Sequence, residues 1–139
     1  MIIDAIKTFI ENNCPLVSGK KINVNYLGEK PQRYTIESVP STPIIKKYSD
    51  GGTQRQYLWV FSSRENYDAE ARENLNIARF YEEFSSWIEE QNKNKNLPLL
   101  DGATPLRLEV LTSGYLFRAN TDTARYQIQC RLIYYKGAN

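Results

Sequence analysis

Residues 126–134 have the sequence YQIQCRLIY, in which apolar and polar side chains alternate along most of the segment. In an extended chain, side chains two residues apart lie on the same face. One face would therefore carry Tyr126, Ile128, Cys130, Leu132 and Tyr134, and the other Gln127, Gln129 and Arg131. This pattern predicts a long β-strand with one buried face, so the fold is built on a sheet.

Shorter alternations indicate six more strands, at about residues 22–26, 34–36, 44–48, 54–61, 106–110 and 115–117. Asp50, Gly51 and Gly52 between the third and fourth strands are a hairpin signal. Residues 57–61 are apolar at every position. Strands that are buried on both faces have such continuous apolar runs, so we expect the 54–61 strand to be central and covered on both sides.

Two amphipathic patterns with helical spacing complete the set of elements. The first spans residues 2–12, and the second spans residues 68–91, with Asp68 as the expected N-cap. The element order is then α-β-β-β-β-α-β-β-β. We predict one α+β domain over residues 1–139, with a mostly antiparallel sheet and both helices on one face. No internal sequence repeat is evident.

Charge is unevenly distributed, although the net charge of the 139-residue chain is only +2. Residues 68–90 contain seven acids and two bases, whereas the rest contains 16 bases and 9 acids. Opposite patches on one subunit can meet on neighbouring copies, so the pattern favours self-association. No secretion signal or membrane-spanning apolar run is present, and we expect a protein made in the cytoplasm.

The residue types give little support for catalysis. The chain has no histidine, which excludes Ser-His-Asp and Cys-His arrangements and the commonest metal ligand. Gly19-Lys20 is not a phosphate-binding P-loop, because Cys14 and Lys21 replace the required glycine and hydroxyl residue. Cys14 and Cys130 lack metal-binding spacing, and we expect both to be reduced and buried. We therefore predict no enzyme, no cofactor and no metal.

A nucleic-acid-binding module is a weaker alternative. Arg118, Arg125 and Arg131 lie near aromatic residues in the sequence, as stacking and phosphate contacts would require. The aromatics alternate with strand period, however, which is typical of residues facing a core. An enzyme with unusual chemistry is the remaining alternative class.

A further set of residues resembles a known family. These are residues 51–61 (GGTQRQYLWVF), 62–65 (SSRE), 80–84 (FYEEF) and 87–88 (WI). They resemble the small minor capsid or tail-completion proteins of tailed phages and prophages of Gram-positive bacteria, and the element order is also similar to the phage tail terminator fold. The resemblance extends over residues 2–135 and consists of glycines, aromatics and their spacing.

The resemblance implies a structural virion protein that forms a ring, commonly a hexamer, at the head-proximal end of the tail. Such a ring caps the tail tube and joins it to head-tail connector proteins or the tail sheath, and DNA only passes through its lumen. A head-tail connector or another tail-associated adaptor is the alternative. By position, the hairpin would contact a neighbouring copy or line the lumen, through Lys46, Lys47, Asp50, Gly51, Gly52 and Arg55. Because its tip is polar, we expect it to project beyond the sheet.

Overall fold

Two α-helices and seven strands make up the structure, a computed structural model that describes residues 1–18, 20–25, 33–66, 71–119 and 123–138. The helices are α1 (Ile2–Asn13) and α2 (Ala71–Lys93), and a short 3₁₀ helix spans Pro15–Val17. The strands are β1 (Ile22–Val24), β2 (Arg33–Val39), β3 (Ile44–Lys47), β4 (Thr53–Asn66), β5 (Thr104–Val110), β6 (Tyr115–Ala119) and β7 (Thr123–Lys136). This order confirms the predicted α+β class.

All seven strands belong to one sheet, centred on β4 and β7. The order across it is β1-β2-β4-β7-β5, with β3 also pairing β4 and β6 also pairing β7. The two central strands are antiparallel and pair along their full length, from Thr53 opposite Lys136 to Asn66 opposite Thr123. Only β1 and β2 pair in parallel among the described strands. The prediction of a mostly antiparallel sheet with a central β4 is therefore confirmed.

The strands on either side of the central pair are interrupted in the same way. Both β2 and β3 pair with one side of β4, separated by a segment that contains Pro40 and Pro43. Both β5 and β6 pair with the outer side of β7, separated by residues 111–114. A helix, an interrupted strand and a long central strand thus occur twice in succession. The sequence shows no repeat, so this duplication is visible only in the structure.

Both helices pack on the same face of the sheet and form one hydrophobic core. From α1 the core receives Ile3, Ile6, Phe9 and Ile10, and from α2 it receives Ile77, Tyr81, Phe84, Trp87 and Ile88. The rings of Phe84 and Phe61 stack with centroids 4.6 Å apart, and those of Phe9 and Trp87 lie 5.5 Å apart. The alternation in β7 is confirmed, because its predicted apolar face contributes to this core.

Two details of β4 differ from the prediction. The strand continues to Asn66 through the polar residues 62–65, because β2 and β7 pair with it on both sides there. Its second face, with Leu58 and Val60, is not covered by either described helix, since both helices pack against the first face. The expectation of cover on both sides is therefore only partly met: Val60 is buried and Leu58 is half-buried, but no described helix lies over them. Val60 lies opposite Gln129 on β7, and Leu58 opposite Arg131.

The predicted boundaries of α2 are only partly comparable with the structure. The helix ends at Lys93, two residues beyond the predicted end. Asp68, the expected N-cap, lies outside the described residues, as does the predicted turn at residues 28–31. After α2, Asn92 holds β5: its Oδ1 accepts a hydrogen bond from the Leu108 N–H at 2.7 Å, and its Nδ2 donates to the Leu108 carbonyl.

Candidate assembly surfaces

The β3–β4 hairpin places most of the predicted contact residues at the surface. Lys46, Lys47, Asp50 and Gly51 are exposed, whereas Arg55 is half-buried and donates through Nε to Thr53 Oγ1 at 2.9 Å. Gly52 is buried. The hairpin therefore brings these six residues to one end of the sheet, with two lysine ammonium groups available to a partner.

The hairpin tip does not extend freely beyond the sheet. Thr53 pairs with Lys136, and the ring of Tyr48 lies 5.9 Å from that of Tyr135. A Cβ on Gly52 would lie 2.8 Å from Cζ of Tyr135, so only glycine lets this ring cover the backbone. The prediction of a projecting tip is thus wrong for Gly52 and Thr53, because the end of β7 lies against them.

The outward surface of α2 carries a stripe of exposed carboxylates. Its members are Glu82, Glu83, Glu89 and Glu90. They share one side of the helix because residues seven apart lie almost directly above each other. Among the described side chains, none of the four forms an ion pair. The acidity predicted for this segment is therefore displayed to solvent.

The outer edge of the sheet beside β7 is protected in one half and open in the other. In β5, the Asn92 side chain occupies the outward N–H and carbonyl of Leu108. In the described part of the chain, β6 pairs only with β7. An unpaired strand edge is a template for contact with another chain. The open half of this edge is therefore β6.

Exposed apolar side chains concentrate on this same edge. The described residues leave eight large hydrophobic side chains exposed, and four of them are Leu106, Leu111, Leu116 and Phe117. Leu116 is 46% exposed and Phe117 is 52% exposed. The Arg125 guanidinium lies 5.1 Å from the centroid of the Phe117 ring and supports it from the sheet face. Sequence reasoning missed this surface, because Phe117 alternates like a core residue.

A groove of about 600 Å³ lies at the end of the sheet where β7 terminates, away from β6. It runs between α1 and residues 96–103, beside Tyr134 and Lys136 of β7. Its apolar lining includes Met1, Ile2, Leu97, Leu99 and Leu100. Met1 is 91% exposed and Leu99 is 92% exposed, so both leave much of their surface uncovered. Asp4 and Asp101 are exposed carboxylates among the groove residues.

The sheet face away from the helices combines polar side chains with the buried Val60 and Ile133, and two of its arginines are paired within the chain. Arg125 contacts Glu37 at 3.0 Å and donates to Ser62 Oγ at 3.0 Å. Arg131 donates through Nε to Glu109 at 2.9 Å. Burial would raise the pKa of Glu109, but hydrogen bonds from Arg107 and Arg131 outweigh it and lower that pKa. Internal pairing leaves Arg125 and Arg131 poorly placed for phosphate contacts; Arg118 of the predicted trio is exposed.

The two cysteines lie inside the core. Cys14 and Cys130 are free and buried, as predicted, and burial raises the pKa of both thiols. Within the described ranges, no three acidic or cysteine side chains come together as a metal site. Neither helix in those ranges combines the length and hydrophobicity needed to cross a bilayer.

The chain matches no protein-family model and no curated protein.

Proposed function

We propose that this chain is a structural subunit of a virion-assembly ring of the tail terminator type. In this role it caps the tail tube, joins it to the head-side connector and performs no catalysis. The observation that carries the proposal is the β6 edge, where an unpaired strand presents Leu116 and Phe117 to solvent. Exposed apolar side chains on an open strand edge are typical of protein interaction sites.

The charge distribution supports contacts between copies. The acidic stripe of α2 and the lysines of the β3–β4 hairpin are both exposed and lie on different elements. Because these two elements carry opposite charges, α2 of one copy can meet the hairpin of the next copy in a head-to-tail arrangement. Such an arrangement closes into a ring when the rotation between copies permits. The hairpin residues are then available to a neighbouring copy or to the ring lumen.

Native mass spectrometry of the purified chain tests the proposal. We expect a discrete oligomer that weakens as salt is raised, because exposed charge pairs are screened within about 10 Å at 0.1 M ionic strength. Electron microscopy of mixtures with tail tubes should show the protein at tube ends. A chain that stays monomeric at high concentration, with and without tubes, would contradict the proposal.

The same mixtures distinguish the closest alternative. A head-tail connector or tail adaptor would also form oligomers, but it would bind connector rings and leave isolated tube ends bare. Binding to tube ends therefore separates the terminator role from these related assembly roles.

A further inference from the structure

The β6 edge and the α1 groove lie at opposite ends of the sheet. Leu116 pairs with Tyr126 on β7, whereas the groove lies beside Tyr134 and Lys136 of the same strand. Because a strand rises about 3.3 Å per residue, roughly 30 Å separates the two surfaces. A single copy cannot place its own β6 in its own groove.

We propose that the groove between α1 and residues 96–103 of one copy receives the β6 edge of the next copy, with Phe117 inserted. This inference rests on the proposed function, since it assumes that the chain self-assembles. It specifies which two surfaces meet, and neither belongs to the hairpin predicted from the sequence.

Apolar complementarity is the first argument. The groove of about 600 Å³ has room for several side chains. Its Met1 and Leu99 are almost fully exposed, so covering them would remove apolar surface from water. Phe117 is 52% exposed on the unprotected strand edge, and Leu116 before it is 46% exposed on the opposite face of the sheet. Burying such side chains is the main favourable contribution when protein surfaces associate.

Charge complementarity is the second argument. The exposed charged side chains of the groove are Asp4, Asp101 and Lys136, two acids against one base, and Arg118 is exposed directly after Phe117. Asp4, Asp101 and Arg118 form no ion pair among the described side chains. Docking Phe117 would bring this arginine toward the carboxylates, which favours the correct register between the two copies.

The other described edges are less suited to the same groove. Asn92 blocks the β5 edge at Leu108. In the hairpin, the Tyr48 ring already packs beside Tyr135 and beneath the Lys46 ammonium, 5.2 Å from its centroid. At the β6 edge the Arg125 guanidinium lies 5.1 Å from the centroid of the Phe117 ring, yet Phe117 stays 52% exposed, against 38% for Tyr48.

The opposite placement of the two surfaces permits a head-to-tail assembly. Each copy offers a groove at one end of the sheet and a β6 edge at the other, so the contact joins two different surfaces. When each copy fills the groove of the next, repetition of this heterologous contact closes a ring or continues as a filament. Two copies that fill each other's grooves would instead close a symmetric dimer, and native mass spectrometry distinguishes the two outcomes.

Cross-linking between two variants, each with one added surface cysteine, tests the pairing. Leu99→Cys places a thiol in the groove, and Phe117→Cys places one on β6. The native Cys14 and Cys130 are buried and add little background. A short bismaleimide should join the two variants to each other when they are mixed. Leu99→Cys mixed with Glu83→Cys, an exposed position on α2, serves as the control.

Substitution measures the contribution of the β6 edge. We expect Phe117→Ala to raise the dissociation constant between copies about tenfold or more, given the area a buried phenylalanine removes from water. Ile45→Ala removes a similarly exposed apolar side chain, 48% against 52%, from the hairpin and should change the constant much less. Arg118→Asp should weaken association, and combination with Asp4→Lys and Asp101→Lys should restore it. Thermal melting confirms that each variant folds.

The outcomes separate this inference from the proposed function. Oligomers that persist without the Leu99–Phe117 cross-link, or that depend on Ile45 and not Phe117, would overturn the groove contact and leave self-assembly intact. Cross-links between two Leu99→Cys copies would show that two grooves meet each other, which also overturns it. A chain that is monomeric throughout contradicts both. Binding of tail tube protein alone to the groove would show that the occupant is not a second copy.

Discussion

Replacing Gly114 with alanine should destabilise the fold, because the segment between β5 and β6 passes directly over α2 at this residue. An added Cβ would lie 2.5 Å from the Tyr81 Cβ and 2.9 Å from its Cδ1. Carbon atoms pack best at about 3.5–4.0 Å, so the neighbour must move by about 1 Å. Tyr81 cannot easily do so: it is buried, and its hydroxyl lies 2.7 Å from Ser63 Oγ and donates to the Tyr126 carbonyl at 2.9 Å.

The expected loss is about 2–3 kcal/mol of unfolding free energy, in the upper part of the range for overpacked cores. For a chain of this size that corresponds to a decrease of roughly 6–10 °C in melting temperature. Differential scanning calorimetry measures the decrease directly. Gly137→Ala is the matched control, because no atom lies within 4 Å of its added Cβ. A Gly114→Ala protein that melts within about 1 °C of the unsubstituted chain would refute the close approach of this segment to α2.

Three further predictions concern buried groups. Cys14 and Cys130 should react with thiol reagents only slowly in the native protein, and fast labelling of Cys130 would mean that the strand faces are reversed. Tyr81→Phe should lower the unfolding free energy by about 1–2 kcal/mol in urea titrations, because Ser63 and the Tyr126 carbonyl lose a partner; an unchanged midpoint would contradict it. Burial, followed by the negative charge of Glu65, raises the pKa of Tyr34 to about 12. The folded state therefore favours the neutral phenol. Stability should be complete below pH about 10 and fall by about 2–3 kcal/mol as pH rises to about 12, and Tyr34→Phe should remove that part of the loss.

Much of the element structure follows from local patterns. The apolar positions of residues 126–134 alternate with period two, and those of α1 and α2 recur with helical spacing. These periods describe which side chains share a face, so they also predict most of the buried set. The observed helix ends differ from the predicted ends by one or two residues, since capping contacts decide where a helix stops.

The polar half of β4 shows where local patterns become insufficient. Ser62 and Ser63 resemble a loop in the sequence, yet both are buried in the strand. Ser63 is satisfied by Tyr81 on α2, and Ser62 receives a hydrogen bond from Arg125 on β7. Both partners are distant in the chain, so no local window could have indicated them.

The candidate surfaces were also only partly predictable. The hairpin and the acidic segment are evident from turn residues and charge. The β6 edge was missed, because a strand at the margin of a sheet has the same alternation as one in the middle. The alternation therefore predicts a core position for Phe117, although the structure leaves about half of it exposed.

The sequence by itself determined the class of the fold, the positions of its helices and strands and the burial of both cysteines. Only the tertiary structure decided the strand order, the duplicated helix–strand–strand arrangement and the position of the groove. Periodicity records whether each side chain faces a core, and that information is local. Which strand lies beside which, and where the sheet ends, depends on contacts between distant residues such as Asn92 and Leu108.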